Sequence, residues 1–213
     1  MNYSRRNFLK AAGSSAAALT TVASGAEALA AQGPAHGPAQ TPSSPLAIPA
    51  GMTQETATFN INGKPLKATY EARTTLWEVI HVKLGLTGTN RSCNRASCGA
   101  CSVLIDGTPF YSCHTLATEA VGKKVFTVEG LGDEKNLHPL QQVGYRYMAA
   151  DCGFCTAGWE VTAKGLLDKN PNPTEADVKA ALAGHICRCA AYPSIIRTVI
   201  DTGKLMRGEA ELV

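Results

Sequence analysis

From Thr56 onward the apolar positions of this chain follow two periods, and the change of period divides it. Thr58-Phe59-Asn60-Ile61 and Leu66-Lys67-Ala68-Thr69-Tyr70 alternate apolar and polar residues around Asn62-Gly63, a favoured two-residue turn. The pattern predicts a β-hairpin. Thr75-Leu76-Trp77-Glu78 reads as a capping box opening a helix to about Leu84, with Leu76, Val79, Ile80 and Leu84 at helical spacing and Gly85 as its stop. A loop from Gly88 to Cys101 follows. Ser102-Val103-Leu104-Ile105 and Thr108-Pro109-Phe110-Tyr111 then flank a second turn, Asp106-Gly107. Further on the spacing becomes helical. His138 to Met148 and Trp159 to Leu167 form two helical stretches, and Asn170-Pro171-Asn172-Pro173 ends the second. Thr174 caps a third through Leu182. Pro193 opens a fourth, with Ile195, Ile196, Val199 and Ile200. The expected fold class is α+β, a strand-rich half followed by four helices.

The residues before Thr56 do not join this pattern. Residues 31–55 carry Pro34, Pro38, Pro42, Pro45 and Pro49 among Gly, Ala and Ser, the composition of a linker. Ahead of them, Ser4-Arg5-Arg6-Asn7-Phe8-Leu9-Lys10 precedes a mildly apolar run from Ala11 to Ala31. This layout resembles a bacterial twin-arginine export signal, and Ala28-Leu29-Ala30 predicts cleavage after Ala30. The run contains Gly13, Ser14, Ser15, Thr20, Thr21, Ser24 and Glu27. It is too polar and too short for a span of about 20 apolar residues, so no membrane span is expected. The resemblance implies a periplasmic protein exported already folded.

Composition narrows the function. The net charge is only +3, and no Lys/Arg block exceeds pairs such as Lys123-Lys124. With 6% aromatic residues as well, neither a nucleic-acid electrostatic footprint nor a base-stacking surface is expected. No G-x-G-x-x-G, nucleophile–base motif or carboxylate dyad occurs. No catalytic residue is therefore assigned on this polypeptide.

The chemistry lies in eight cysteines: Cys93, Cys98, Cys101, Cys113, Cys152, Cys155, Cys187 and Cys189. An even number in an exported chain ordinarily suggests disulfides. Export in the folded state changes that inference, because a metal cluster inserted in the cytosol survives the crossing. Cys93-x4-Cys98-x2-Cys101, with Cys113 eleven residues further on, has the spacing of a plant-type 2Fe–2S ferredoxin site. Asn94, Ala96, Ser97, Gly99 and Ala100 let backbone N–H groups approach the sulfur atoms, and Gly99 can take a positive φ. The alternative is a four-cysteine zinc site, which normally uses two C-x2–4-C pairs rather than three ligands in nine residues. The second set, Cys152-Gly153-Phe154-Cys155 and Cys187-Arg188-Cys189, is separated by 31 residues that read as a helical hairpin. Its packing would bring both pairs together at helix ends.

With these motifs the sequence resembles the small iron–sulfur subunit of the xanthine dehydrogenase and aldehyde oxidoreductase family of molybdenum hydroxylases. The resemblance is carried by Ser92-Cys93 through Leu104, Ser112-Cys113, Cys152 through Thr156 and Gly184-His185-Ile186-Cys187-Arg188-Cys189. It implies a twin-arginine signal (1–30), a linker (31–55), a β-grasp ferredoxin domain (56–132) and a four-helix 2Fe–2S domain (133–213). It implies two 2Fe–2S clusters, one on Cys93, Cys98, Cys101 and Cys113, the other on Cys152, Cys155, Cys187 and Cys189. The second would lie beside a molybdopterin cofactor in a large partner subunit, with Cys189 nearest the pterin. Electrons would leave through the first cluster to a flavin subunit, a cytochrome or another acceptor. The other reading is a free-standing periplasmic 2Fe–2S electron carrier.

The sequence departs from the family pattern in four places. Asp151 stands where Gln commonly touches the pterin, Thr156-Ala157-Gly158 replaces T-P-G, Ala190-Ala191 replaces T-G, and Ala96 replaces a Gly. None removes a cysteine. Among other residues, His114 and His138 read as structural, and Trp77 and Trp159 as core or interface. His185 is expected either at a cluster sulfur or at a helix C-terminus. Arg188 is expected to compensate charge or face a partner, and Tyr145, Tyr147 and Met148 to face the partner or the bundle interior.

Overall fold

The structure, a computed structural model, describes residues 53–133 and 135–209. The expected signal, its cleavage after Ala30 and nearly all of the linker lie outside the described residues.

The two predicted hairpins form. Strands β1 (Gln54–Ile61) and β2 (Lys64–Glu71) pair antiparallel in full register. Asn62 and Gly63 both take positive φ, 52° and 76°, as a turn matching the strand twist requires. β3 (Ser102–Ile105) and β4 (Thr108–Tyr111) form the second hairpin around Asp106 and Gly107. A strand that the alternation did not reveal, β5 (Lys124–Phe126), joins them. It runs parallel to β1 and antiparallel to β3, giving a five-stranded sheet in the order β2-β1-β5-β3-β4. Three residues are too few to display a period, and the pairing of β5 is wholly non-local.

The capping box predicted at Thr75 is present. The Thr75 amide donates to Glu78 at 2.8 Å, and the Glu78 amide donates to Thr75 Oγ1 at 3.3 Å. The helix it opens departs from α geometry over Glu78–Lys83, where the turns widen to π-helix and the Leu84 amide bonds back to Val79. Leu76, Val79 and Ile80 are fully buried against Phe59, Ile61, Val103 and Val125 of the sheet. Phe59 meets Tyr70 edge to face at 5.6 Å within that core.

Four α-helices follow: α1 (Pro139–Arg146), α2 (Thr156–Lys169), α3 (Glu175–Ala181) and α4 (Tyr192–Met206). His138 caps α1, accepting from the Leu140 amide through Nδ1, so its role is structural as expected. Thr174 and Asp177 form a capping box for α3. Trp159, Ala163, Leu167, Leu140, Val178, Ile195 and Val199 make a second core among the helices.

β3 explains how the two cores meet. All four of its residues are buried. Val103 and Ile105 face the sheet's own core, while Leu104 lies against Gly165 of α2 and Ser102 bonds His185. A strand covered on both faces reads as a continuous apolar run rather than an alternating one. Ala50–Val213 accordingly forms one compact unit.

Candidate metal centres

The first cysteine set is assembled by a loop and a hairpin. Asn94, Ala96 and Gly99 take left-handed φ of 52°, 55° and 74°, curling the chain between Cys93 and Cys101. The positive φ expected of Gly99 is present. Ala96 adopts the same region without glycine's freedom, at a cost of about 1 kcal/mol. Cys101 and Cys113 meet because of the β3–β4 register. Ser102 pairs with Tyr111, so Cys101 faces Ser112, whose amide and hydroxyl both donate to the Cys101 carbonyl. Cys93 and Cys98 are half-buried, whereas Cys101 and Cys113 are buried. The Ser97 amide donates to Cys93 Sγ at 3.4 Å. The Ser97 side chain, reinforced by that amide, holds the Cys93 thiol down at about 6, so the thiolate forms readily. Burial pushes Cys101 up instead.

The second set is assembled by helix ends. Cys155 occupies the N-cap position of α2, and Gly153 at φ 78° turns the chain so that Cys152 lies beside it. Cys187 and Cys189 lie between α3 and the first turn of α4. The Cys187 amide donates to the Tyr192 hydroxyl at 2.8 Å. The N-termini of α2 and α4 thus converge on these thiols, and their dipoles favour negative charge there. Cys155 and Cys187 are buried in the helical core, Cys189 is half-buried and Cys152 exposed. Burial pushes Cys155 up.

In both sets the thiols stand in twos. Cys93 lies beside Cys98, Cys101 beside Cys113, Cys152 beside Cys189 and Cys155 beside Cys187, each close enough to shift its neighbour's proton affinity. All eight are free. Among the described residues no three Cys, His, Asp or Glu side chains converge on one point, as a mononuclear zinc would require. Two thiolates for each of two irons is the donor arrangement of a 2Fe–2S cluster, and both sets fit it.

The two sets are joined directly. The Ile186 amide, next to Cys187, donates to the Cys98 carbonyl at 3.0 Å. Asn90 Nδ2 donates to the Phe154 carbonyl at 2.9 Å. Gly158 lies against the Gly99 carbonyl so closely that a Cβ would collide with it. His185 lies at the C-terminal end of α3, one of its two expected places, where its amide donates to the carbonyl of the C-cap Leu182 at 2.9 Å. Its Nε2 lies 3.1 Å from both Ser102 Oγ and Thr162 Oγ1, bridging β3 and α2, and its ring covers Gly99. These two contacts were not expected, because both hydroxyls are remote in sequence.

Each inner pair also has a tryptophan. Trp77 packs with Cys101 and Cys113, and its Nε1 donates to the Thr89 carbonyl at 2.8 Å. Trp159 is buried with Cys155 and Cys187. Asp151 is exposed and stands beside Cys189 and Cys152. Arg188 and His114 are exposed. Tyr145 and Met148 are exposed, while Tyr147 donates to Asp201 at 2.8 Å and stacks beneath Arg197.

Comparison with known proteins gives a consistent picture. Residues 127–200 match the family described as the 2Fe-2S binding domain, and residues 2–22 the twin-arginine translocation pathway signal sequence. The chain is 42% identical over 141 residues to the nicotine 6-hydroxylase small subunit of Paenarthrobacter nicotinovorans, covering 66% of this chain and 85% of that one. It is 32% identical over 216 residues to the aldehyde oxidoreductase iron–sulfur-binding subunit of Escherichia coli K12, covering 94% and 88%. The structure superposes on quinoline 2-oxidoreductase from Pseudomonas putida 86 with a TM-score of 0.69 and 40% identity, over 74% of this chain and 99% of the matched one. It also superposes on aldehyde oxidoreductase from Desulfovibrio desulfuricans with a TM-score of 0.70 and 37% identity, over 73% of this chain but 17% of a much longer one.

Proposed function

The chain belongs to the small iron–sulfur subunits of the molybdenum hydroxylase family, exported by the twin-arginine route, and we propose that it holds two 2Fe–2S clusters and carries electrons out of a large molybdopterin-binding subunit in the periplasm. The observation that carries this reading is the arrangement of eight thiols as four twos, in two sets linked by the Ile186–Cys98 hydrogen bond. Cys93, Cys98, Cys101 and Cys113 would hold one cluster, and Cys152, Cys155, Cys187 and Cys189 the other. When bound, each supplies one-electron chemistry and passes electrons without binding substrate itself.

The chain's own residues support the order of transfer. Cys152 and Cys189 open to the surface beside exposed Met148, Phe154 and Ile186, an apolar face suited to the large subunit. Asp151 lies on that face, as the pterin's neighbour in place of the more common Gln. Cys93 and Cys98 are half-buried, and from their set electrons would leave for a flavin subunit, a cytochrome or another acceptor. The two hydrophobic cores support a ferredoxin-like β-grasp domain over 56–132 and a four-helix domain over 133–213, held against each other by β3 and α2.

The test is purification of the exported protein with whatever co-purifies, followed by iron, sulfide and molybdenum analysis. A large subunit with molybdenum, and iron equal to sulfide on this chain, are expected. A lone chain with iron and sulfide would leave only the free carrier. Absence of iron and sulfide would remove both readings. In a Cys189→Ser variant of the complex, turnover with acceptor should be lost while substrate still binds.

A further inference from the structure

We propose that the surface carrying Arg91 and Arg95 is a docking face for an acidic redox protein that accepts the electrons leaving this chain, an inference that rests on the relay described above. From Val79 to Ile105 the chain contains no Asp or Glu. That stretch builds the turn beneath Trp77 and the whole loop around Cys93, Cys98 and Cys101. It carries Arg91 and Arg95, both exposed, whereas its Lys83 lies among Glu71 and Glu78 on a surface of mixed charge, and Glu129 reaches the stretch from outside to accept the Gly88 amide. Neither arginine is in an ion pair among the described residues.

Arg91 is also held in place. Its guanidinium lies 3.7 Å from the centre of the Trp77 ring, with His81 stacked on the same tryptophan at 4.4 Å. Trp77 in turn packs with Cys101 and Cys113. A planar guanidinium fixed on an aromatic face loses little freedom when it meets a carboxylate, so the site is preorganised for one. Arg95 is exposed on the loop between Cys93 and Cys98, the two half-buried cysteines of the set. Cations around the edge that an acceptor must approach give charge complementarity to an acidic surface, raising its encounter rate and orienting it.

The competing account is that these cations only offset the negative charge of a bound cluster. The two differ in what they predict. Cytochrome c and its succinylated form share a haem and differ in surface charge, basic against acidic. With the purified complex at about 10 mM ionic strength, where screening is weak, the succinylated form should bind more tightly and be reduced on the order of tenfold faster. Raising ionic strength to about 150 mM should remove most of that advantage. The complex is first reduced with dithionite and desalted; one electron then passes from it to each ferric haem, giving ferrous haem and leaving the complex oxidised by one electron. R91E/R95E should abolish or reverse the preference, and the milder R91Q/R95Q, checked for intact visible absorbance, should reduce it. K64E/K67E, on strand β2 at the opposite edge of the sheet, should leave it unchanged. The proposal is overturned if the preference survives in R91E/R95E or disappears equally in K64E/K67E. It is also overturned if the arginine variants shift the cluster's reduction potential while leaving binding of the succinylated protein unaltered. Failure of the reduced complex to pass electrons to either form would remove the relay itself, and this inference with it.

Discussion

The two cysteine sets solve one problem by different means. Each has an inner, buried pair beside a tryptophan and an outer pair nearer the surface. The first is local: Cys93 to Cys113 fall within one loop and one hairpin. Its favourable electrostatics come from loop amides such as that of Ser97 and from flanking arginines. The second draws Cys152 and Cys155 together with Cys187 and Cys189 across two intervening helices, and relies on helix N-termini. A loop site is specified by spacing and small residues. A helix-end site is specified only when the bundle packs, so its integrity should depend more strongly on the surrounding core.

The sharpest way to break the comparison is to remove one inner ligand from each set. Cys101→Ser and Cys155→Ser should each lose half of the iron, and electron paramagnetic resonance of the reduced protein should show the surviving cluster to be the other one. Loss of all iron in either variant would mean that the sets do not form independently.

The next contrast concerns the two tryptophans. Trp159 is 1% exposed at the centre of the helical core, and Trp159→Ala should cost about 4 kcal/mol in denaturant unfolding. Trp77 is 7% exposed and presents one face to Arg91, so Trp77→Ala should cost about 2–3 kcal/mol. Equal losses would contradict the view that the second site leans more heavily on its surrounding core.

The helical half also holds, among the described residues, the only buried carboxylate. Burial of Glu160 raises its pKa to about 7 from 4.5. The folded chain therefore keeps this proton where the unfolded chain has lost it. Stability from this group is complete below pH 4.5 and declines as pH rises, until the folded carboxyl has ionised near pH 7. Glu160→Gln should flatten that part of the stability profile and stabilise the chain above pH 7 by at most about 3 kcal/mol. An unchanged profile would place the titrating group elsewhere.

Smaller effects probe the contact between the halves and the loop alone. A methyl group at Gly158 meets the backbone of Gly99 and Ala100, so Gly158→Ala should cost about 2 kcal/mol and weaken magnetic coupling between the clusters. Ala96→Gly removes a left-handed alanine from the first loop. Offset by greater freedom of the unfolded chain, it should change stability by no more than about 1 kcal/mol, read as a small rise in Tm.

Much of this molecule was legible along the chain because its signals are local. Asn62-Gly63 and Asp106-Gly107 produced the expected hairpins, and Thr75 with Glu78 and Thr174 with Asp177 produced capping boxes. What escaped was non-local. β5 is three residues long and exists only through β1 and β3. The π turn at Glu78–Lys83 has the same apolar spacing as an α-helix over so short a run. Asp151 was visible as a departure from the family, but its place beside Cys189 was not.

By itself the sequence determined the two hairpins, the helical second half, the export signal and the eight candidate ligands. Turn dipeptides, caps and cysteine spacing act over a few residues and need no partner to be read. Tertiary structure decided which thiols stand together, that β3 is covered on both faces, that His185 serves Ser102 and Thr162, and that Arg91 lies on Trp77. Most of these depend on atoms brought together from segments far apart in the chain, which only the packing of α2 against the sheet and the closing of the loop over Trp77 can do.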